Sequence, residues 1–331
     1  MAIVTAVGAT SWGTTLGIIL AREGHEVRLL ARTEEEAASI ESARENARFV
    51  PGVQFPESMH ALADPVEAHD SADLTIFAVP SQTLRTNARA VAHAIPNSTV
   101  VVNAAKGLEL SSVKRMSEVI NEEILSLDHG VCALSGPNLA REIIRSMPAS
   151  TVVASNDPAA ATEAQTIINS STFRVYTNDD LVGVELAGAL KNIIALGAGM
   201  CDGMGFGDNT KATFITRGLA EIARLGVAAG ANPATFAGLA GMGDLVATCM
   251  STLSRNHYFG TQIASGKTLE QVRSDMDSVA EGVDTTRAAL DLAESLGVEM
   301  PIAQATNSVL FGGVSVPQAV QNLMGREPRA E

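Results

Sequence analysis

The chain opens with Ala2-Ile3-Val4-Thr5-Ala6-Val7-Gly8-Ala9-Thr10-Ser11-Trp12-Gly13, and this stretch decides the fold. The apolar run that ends at Val7 is typical of a fully buried strand, and the pattern predicts a helix over residues 14–22. Strand, glycine turn and helix in this order form a dinucleotide-binding unit, whose helix N-terminus holds a pyrophosphate. Gly8 would allow the turn, and Gly13 would allow the helix to pack closely.

Thr10 departs from the glycine pattern, because it stands where the middle glycine of GxGxxG is expected. Its Cβ would crowd the closest approach of the backbone to a phosphate, although its hydroxyl could donate a hydrogen bond there. The glycine pattern alone is therefore a weak signal. A second predicted strand at residues 26–31, about twenty residues later, strengthens it.

The second predicted strand ends in Ala31-Arg32-Thr33. An acidic residue at this place binds the ribose 2′-hydroxyl of NAD, whereas an arginine accommodates the 2′-phosphate of NADP. Arg32 therefore favours NADP, and NAD remains the second possibility. The alternative is a solvated loop arginine that binds no ligand.

Apolar runs continue to alternate with helical stretches as far as Asn178, and they lie at residues 73–79, 98–103, 130–134, 150–154 and 173–177. This alternation predicts an α/β Rossmann-type N-terminal domain with a mostly parallel sheet. Long stretches rich in Ala and Leu follow and predict an all-α C-terminal domain. We therefore predict a dinucleotide-binding domain over residues 1–178 and a helical substrate-binding domain over residues 179–331.

Lys191 is the most informative single residue, because the segment around it, residues 182–197, is almost wholly apolar. Burial disfavours the charged form of a lysine, so this side chain must find partners or lose its proton. A lysine in such a place suits proton transfer at neutral pH. The structural alternative is a pair with Glu185, but a spacing of six residues puts the two side chains on different faces of a helix.

Two further motifs in the second half carry polar groups. Asp244 is flanked by glycine, and Thr248 follows it by four residues, which places both on one face of a helix. Arg255 and Asn256 supply cationic and amide donors that suit a phosphate dianion. A capping aspartate and a surface arginine are the alternatives. Lys106 follows a predicted strand, where ligands bind, but it also fits a surface loop.

The overall composition excludes several classes of function. With 23 Lys and Arg against 37 Asp and Glu, the formal net charge is −14, which argues against nucleic-acid binding. The cysteines form no CxxC pair and the histidines no HxxxH pair, so we expect reduced thiols and no metal site. We recognise no signal peptide and expect a cytoplasmic protein. The apolar segment 181–200 contains Glu185, Lys191 and Asn192, which predicts a core helix and no membrane span.

Ordered motifs along the chain point to one known family. They are Ser11-Trp12-Gly13-Thr14, Lys106-Gly107-Leu108-Glu109, Ser135-Gly136-Pro137, Leu190-Lys191-Asn192-Ile193-Ile194-Ala195, Ile215-Thr216-Arg217-Gly218-Leu219-Ala220-Glu221, Gly243-Asp244-Leu245 and Ser254-Arg255-Asn256. From about Ile3 to Gly325 the chain resembles the bacterial NAD(P)-dependent sn-glycerol-3-phosphate dehydrogenases. The resemblance implies reversible reduction of dihydroxyacetone phosphate to sn-glycerol 3-phosphate by NADH or NADPH, which supplies glycerophospholipid synthesis. It also implies a homodimer, since members of the family are commonly dimers.

The resemblance assigns roles to individual residues. It implies that Lys191 protonates the carbonyl oxygen, that Lys106 polarises the carbonyl, and that Asp244 orients Lys191 and holds its charge. Asn192, Thr248, Arg255 and Asn256 would gather the substrate phosphate. The implied substrate-binding residues are Lys106, Gly136, Asn138, Lys191, Asn192, Asp244, Thr248, Ser254, Arg255 and Asn256. The implied cofactor-binding residues are Gly8, Ser11, Trp12, Gly13, Arg32, Lys106, Ala140, Arg255, Val279 and Glu281.

Two positions differ from the family pattern, which usually has a small residue at position 10 and serine or threonine at position 138. Thr10 and Asn138 are therefore expected to alter affinities, and asparagine can still donate and accept at its position. Two other functions fit parts of the sequence. One is a dehydrogenase of a β-hydroxy acid with a similar lysine helix, and the phosphate-directed Arg255-Asn256 pair argues against it. The other is a regulator that senses NADP(H) without turnover, which would have little need of Lys191.

Overall fold

The computed structural model describes residues 1–276 and 279–327. The chain divides into two compact units, of which the first comprises Met1–Lys106 and Lys114–Glu185, and the second Gly107–Val113 and Leu186–Glu331. This division differs in two ways from the predicted boundary after Asn178. It falls at Glu185, and it assigns the segment Gly107–Val113 to the second unit.

One sheet forms the centre of the first unit. Within the described residues its eight strands are β1 Ile3–Val7, β2 Glu26–Leu30, β3 Met59–Leu62, β4 Leu74–Phe77, β5 Val100–Asn103, β6 Cys132–Ser135, β7 Ala149–Ala154 and β8 Phe173–Asn178. Their order is β3-β2-β1-β4-β5-β6-β7-β8, and all neighbours pair in parallel except β6 with β7. The first six strands follow the Rossmann order, so the predicted fold class is confirmed. Strand β3 was not predicted.

Helices cover both faces of this sheet. They are α1 Ser11–Arg22, α2 Glu34–Ala43, α3 Pro65–His69, α4 Leu84–Val91, α5 Met116–Glu123, α6 Ala140–Ile143 and α7 Pro158–Ile168. Because side chains of a strand alternate between faces, Val4 of β1 packs with Leu16 of α1, whereas Val7 packs in a second core with Leu84 of α4. Burial on both faces explains why the strands are continuous apolar runs.

The second unit is helical, as predicted. Its helices in the described residues are the continuation of α8 Leu181–Gly203, then α9 Asp208–Ala228, α10 Pro233–Ala237, α11 Asp244–Met250, α12 Arg255–Ala264, α13 Leu269–Ser274, α14 Glu281–Ser295, α15 Pro301–Phe311 and α16 Val316–Met324. The Ala-rich stretch at residues 233–241 is not one continuous helix. Helix α10 ends at Ala237, Gly238 is extended, and a π-helical turn over Leu239–Gly243 leads into α11.

Helix α8 is long, apolar and mostly buried, and its residues from Leu186 onward belong to the second unit. It is the one helix in the described residues that is long and apolar enough to cross a membrane by length and composition. However, 94% of its most apolar window is buried inside the protein. Leu196 and Met200 of α8 pack in one cluster with Phe259 of α12. A core helix shows this kind of burial, which agrees with its predicted role.

Candidate active site

The glycine turn between β1 and α1 has a geometry that suits a pyrophosphate. Gly8 has a φ of +109°, which residues with a side chain rarely adopt. A Cβ on Gly13 would lie 2.2 Å from the carbonyl oxygen of Gly8, so only glycine lets α1 begin this close to β1. The first turn, Ser11-Trp12-Gly13-Thr14, contains no carboxylate. The helix N-terminus therefore keeps its affinity for an anion.

Thr10 holds this turn in place and does not point its hydroxyl hydrogen at the turn's ligand side. Its Oγ1 donates to the carbonyl of Ala78 at 2.6 Å and accepts from the backbone N–H of Gly13 at 3.1 Å. Thr10 thus caps α1 and ties the turn to the end of β4. Its φ of −86° is open to any residue. The hydroxyl is therefore not the phosphate donor considered in the sequence analysis, and backbone N–H groups are left for that task.

The side chains next to the turn are partly anchored on the protein. Ser11 and Trp12 are the first two residues of α1, and both are half-buried. The indole of Trp12 packs edge to face against Phe173, with 6.3 Å between ring centroids. Ala140 is the first residue of α6, which packs against α1. Ser11 and Trp12 therefore lie in the first turn of α1 and Ala140 on a helix that packs against α1, and their contact with a cofactor stays a prediction.

Arg32 lies just beyond the end of β2 with an exposed side chain. Within residues 1–276 and 279–327 its guanidinium makes no hydrogen bond or ion pair. Its backbone N–H donates to Glu36 Oε2 at 3.0 Å, and Thr33 caps α2 by accepting from the N–H of Glu36. The backbone at Arg32 is thus fixed while the guanidinium remains open to a ligand.

Lys106, Gly136 and Asn138 lie at the carboxyl ends of neighbouring strands of the first unit. Lys106 follows β5, and Gly136 and Asn138 follow β6. Lys106 Nζ donates to the carbonyl oxygen of Gly136 at 3.0 Å. The Asn138 Oδ1 accepts from Thr151 Oγ1 of β7 at 2.9 Å, so part of its hydrogen-bonding capacity is used within the sheet. These strand ends form the edge at which ligands of such sheets bind.

In the second unit Lys191 is buried and has two close partners. Its Nζ donates to Asp244 Oδ1 at 2.7 Å and to Thr248 Oγ1 at 2.6 Å, and Thr248 Oγ1 donates to Asp244 Oδ1 at 3.1 Å. The side chain of Lys191 is 8% exposed and that of Asp244 is 2% exposed. Thr248 was expected to gather the substrate phosphate, but here it holds the lysine. The three groups form a compact polar cluster that fixes the position of the Nζ atom.

Asn192, beside the lysine on α8, belongs to a second chain of hydrogen bonds. The backbone N–H of Gly282, at the start of α14, donates to Asn256 Oδ1 at 2.9 Å, and Asn256 Nδ2 donates to Asn192 Oδ1 at 2.9 Å. Because a backbone N–H can only donate, this chain assigns the orientation of both amides. Asn192 is thereby set to present its Nδ2 group as a donor.

Arg255 begins α12 next to Asn256. Its side chain is exposed, and in the described part of the chain its guanidinium has no hydrogen-bond or ion-pair partner. Ser254 Oγ accepts from the N–H of His257 at 3.2 Å and so caps α12, and its hydroxyl hydrogen could still be donated to a substrate. Two more residues were predicted to bind the cofactor. Glu281 is the first residue of α14, and Val279, which lies two positions before it, is 46% exposed.

Two groups of positioning contacts were missed by the sequence analysis. Asn46 is buried, and its Nδ2 donates to the carbonyl of Ala9 at 3.0 Å and to Thr14 Oγ1 at 2.8 Å, which supports the glycine turn from behind. Glu185 accepts hydrogen bonds from Arg115 and Ser117, so it is not the partner of Lys191. Both contacts join residues far apart in the sequence, and no local pattern predicts them.

The described residues do not support catalysis by a nucleophilic cysteine or by a metal ion bound to a cluster of side chains. The three cysteines are buried and free, and burial raises the pKa of Cys132 and Cys249 to about 12 and that of Cys201 to about 11. They are therefore neutral thiols and poor nucleophiles at neutral pH. No group of three or more His, Cys, Asp or Glu side chains among the described residues could hold a metal ion.

Two protein-family models match nearly the whole chain. The model of the NAD-dependent glycerol-3-phosphate dehydrogenase N-terminus matches residues 3–161, and the model of the C-terminus of the same enzyme matches residues 180–321.

Individual relatives agree with these models. A Dehalococcoides mccartyi protein named glycerol-3-phosphate dehydrogenase [NAD(P)+] is 47% identical over 333 residues, covering 100% of this chain and 93% of the relative. A protein of the same name from Corynebacterium aurimucosum is 49% identical over 332 residues, with 100% of both chains covered. The crystal structure of glycerol-3-phosphate dehydrogenase from Coxiella burnetii superposes with a TM-score of 0.93 at 33% identity, covering 98% of this chain and 99% of that one. This chain therefore belongs to the NAD-dependent glycerol-3-phosphate dehydrogenase family.

Proposed function

We propose that the protein catalyses the reversible reduction of dihydroxyacetone phosphate to sn-glycerol 3-phosphate with NADH or NADPH. The observation that carries this proposal is the buried cluster of Lys191, Asp244 and Thr248. An ammonium group held by a carboxylate at 2.7 Å can donate a proton to a ketone oxygen, and this is the role proposed for Lys191.

The glycine turn of the first unit fits the dinucleotide. The space beside Gly13 would be filled by any Cβ, and the N-terminus of α1 offers backbone N–H groups to a pyrophosphate. When bound, the reduced nicotinamide supplies a hydride to the carbonyl carbon of the substrate and is oxidised. Hydrogen bonds from Thr10 to the carbonyl of Ala78 and from Asn46 to the carbonyl of Ala9 hold the turn in place, so the binding geometry exists before the cofactor arrives.

Lys191 supplies the proton that reduction of a ketone requires. As the carbonyl carbon gains a hydride, the carbonyl oxygen gains the proton from the Lys191 ammonium, which becomes a neutral amine and must be reprotonated before the next turnover. In the reverse direction the neutral amine accepts the proton of the alcohol. Asp244 and Thr248 keep Nζ in one place through both charge states. The carboxylate accepts from the ammonium and from the neutral amine alike, and the hydroxyl can accept from either or donate to the amine.

The substrate phosphate needs local donors, because the protein as a whole carries a formal net charge of −14. Arg255 offers a guanidinium without a protein partner in the described residues, and Asn192 presents its amide N–H groups. Guanidinium and amide donors together match the three oxygens of a phosphate dianion. We therefore assign phosphate binding to Arg255, Asn192 and Asn256, and Thr248 to the lysine. Lys106 at the edge of the sheet would polarise the carbonyl.

Steady-state kinetics with four substrate combinations test this function. We expect purified protein to oxidise NADPH or NADH with dihydroxyacetone phosphate, and kcat/KM to be about 10³-fold lower with dihydroxyacetone, because two or more charge-assisted hydrogen bonds to phosphate are lost. Equal rates with both ketones would favour a dehydrogenase that does not select for phosphate. Absence of turnover with either cofactor would favour the regulator.

Arg32 favours NADPH over NADH, and its replacement measures that preference. We expect Arg32→Ala to raise the KM for NADPH by about 10- to 100-fold and to leave that for NADH nearly unchanged, because a charge-assisted bond to the 2′-phosphate contributes about 1.5–3 kcal/mol. Arg174→Ala, which removes an exposed arginine of β8 in the same unit, is the matched control. A parallel loss with both cofactors would mean that Arg32 does not read the 2′-phosphate.

Three finer expectations come from the resemblance alone and stay predictions. The protein is expected to be a homodimer, to work in the cytoplasm, and to supply glycerophospholipid synthesis with sn-glycerol 3-phosphate. Light scattering of the purified protein, at concentrations used for the kinetics, measures the first of these directly.

A further inference from the structure

The polypeptide passes between the two units at three places, after residues 106, 113 and 185. The second passage is marked by Val113, whose φ is +61°. A β-branched residue is rarely found in the left-handed region and stays there only where the surrounding structure fixes it. The third passage lies inside helix α8, between Glu185 and Leu186.

A buried carboxylate, that of Glu185 at the third passage, accepts hydrogen bonds from residues that closely follow the second passage. Glu185 is 8% exposed, and it accepts from Arg115 Nη1 at 2.7 Å, from the backbone N–H of Ser117 at 2.8 Å and from Ser117 Oγ at 2.5 Å. Burial raises the pKa of Glu185, and the charge of Arg115 and the hydrogen bonds from Ser117 oppose that shift. Any movement of Glu185 away from these donors would leave a buried carboxylate without compensation, which is strongly unfavourable.

We propose that Glu185 is a positioning residue for the reaction, because it anchors the first turns of α8, the helix that carries Lys191. The proposal rests on the function assigned above, since Glu185 acts only through the lysine. Six residues of α-helix span about 9 Å, and α8 is buried along almost all of this length. A displacement at Glu185 therefore reaches Lys191, and a reacting group misplaced by about 1 Å can lose up to ~100-fold in rate.

Single-turnover kinetics of Glu185→Gln test the proposal. With folded enzyme in excess over NADPH and saturating dihydroxyacetone phosphate, the rate constant of NADPH oxidation reports folded molecules only. The stoichiometry of NADPH binding, measured by fluorescence titration of the same preparation, reports how many molecules are folded. We expect Glu185→Gln to lower the rate constant at least ~10-fold, in line with the cost of misplacing a reacting group. The dissociation constant for NADPH should stay within about twofold, since no contact of the glycine turn changes.

Glu221→Gln is the matched control. Glu221 is also a buried carboxylate whose pKa is raised by burial, and it accepts from the backbone N–H groups of Ile302 and Ala303 at 2.8 and 2.9 Å. We expect this variant to lose stability, and with it part of the fraction of molecules that binds NADPH, while keeping the wild-type rate constant. If Glu185→Gln behaves in the same way, Glu185 has a structural role only and the proposal is wrong.

Ser117→Ala keeps the proposal testable if Glu185→Gln does not fold. It removes one of the three donors and leaves Arg115 and the backbone N–H in place. We therefore expect a rate constant about 3-fold lower than that of the wild type, a smaller loss than in Glu185→Gln. An unchanged rate constant in this variant would also overturn the proposal. If the wild-type protein does not turn over dihydroxyacetone phosphate at all, the proposed function is wrong. If the wild-type protein is active and the variants have the same rate constant, only the role of Glu185 is wrong.

Discussion

Lys191→Met is expected to lower kcat for dihydroxyacetone phosphate by about 10³-fold, which is within the range that a general acid contributes. Methionine fills much the same volume but has no proton to give to the carbonyl oxygen. The dissociation constant for NADPH should change little, because the glycine turn that would hold the cofactor lies in the first unit and Lys191 in the second. Steady-state turnover and fluorescence titration with NADPH measure the two effects separately.

Stability must be separated from chemistry in this variant. Without the lysine, the buried Asp244 carboxylate loses the ammonium group that lies 2.7 Å from it, which is expected to destabilise the protein. The double variant Lys191→Met/Asp244→Asn removes both charges, so we expect it to regain stability but not activity. Lys211→Met is a control for the loss of a paired lysine in the same unit, because Lys211 donates to Asp202 at 2.6 Å and is not one of the residues assigned to the site. Substantial activity in Lys191→Met would refute the assignment of the proton donor.

The sequence predicted those parts of the fold in which burial determines which residue types occur along a strand or helix. Strands covered on both faces are continuous apolar runs, and these placed the sheet from β1 to β8 with one omission. Strand β3 was missed because its sequence, Met59-His60-Ala61-Leu62, is short, lies at the edge of the sheet and carries an exposed histidine. The segment Gly107–Val113 belongs to the second unit although it follows β5 directly. No pattern in these seven residues predicts that they belong to the second unit.

The candidate site shows the same limit. The apolar surroundings of Lys191 identified it as a lysine that needs partners, and the spacing of Asp244 and Thr248 put them on one helical face. What the spacing could not show was which group that face meets. The family resemblance assigned Thr248 to the substrate phosphate, and in the structure Thr248 Oγ1 accepts a hydrogen bond from Lys191. The partners of Glu185 lie about 70 positions away, and only the folded chain reveals them.

Arg255→Ala is expected to raise the KM for dihydroxyacetone phosphate by about 10- to 100-fold, the effect of losing a charge-assisted hydrogen bond of about 1.5–3 kcal/mol. The KM for unphosphorylated dihydroxyacetone should change by less than about threefold, since that ketone has no group for the guanidinium to bind. Exposure of Arg255 and its lack of a partner in the described residues mean that its removal leaves no buried group unpaired, so folding should be unaffected.

Two further variants decide what kind of contact Arg255 makes. Arg255→Lys keeps the charge but loses the planar pair of donors, so a bidentate contact to phosphate predicts an intermediate KM, and a purely electrostatic role predicts a value close to wild type. Arg224→Ala removes an exposed arginine of α9 and controls for the change in net charge. If the KM rises equally for both ketones, Arg255 acts on the cofactor or on the fold. Asn192 and Asn256 would then be left as the phosphate donors in a protein with a strongly negative net charge, which is a weak basis for binding a dianion.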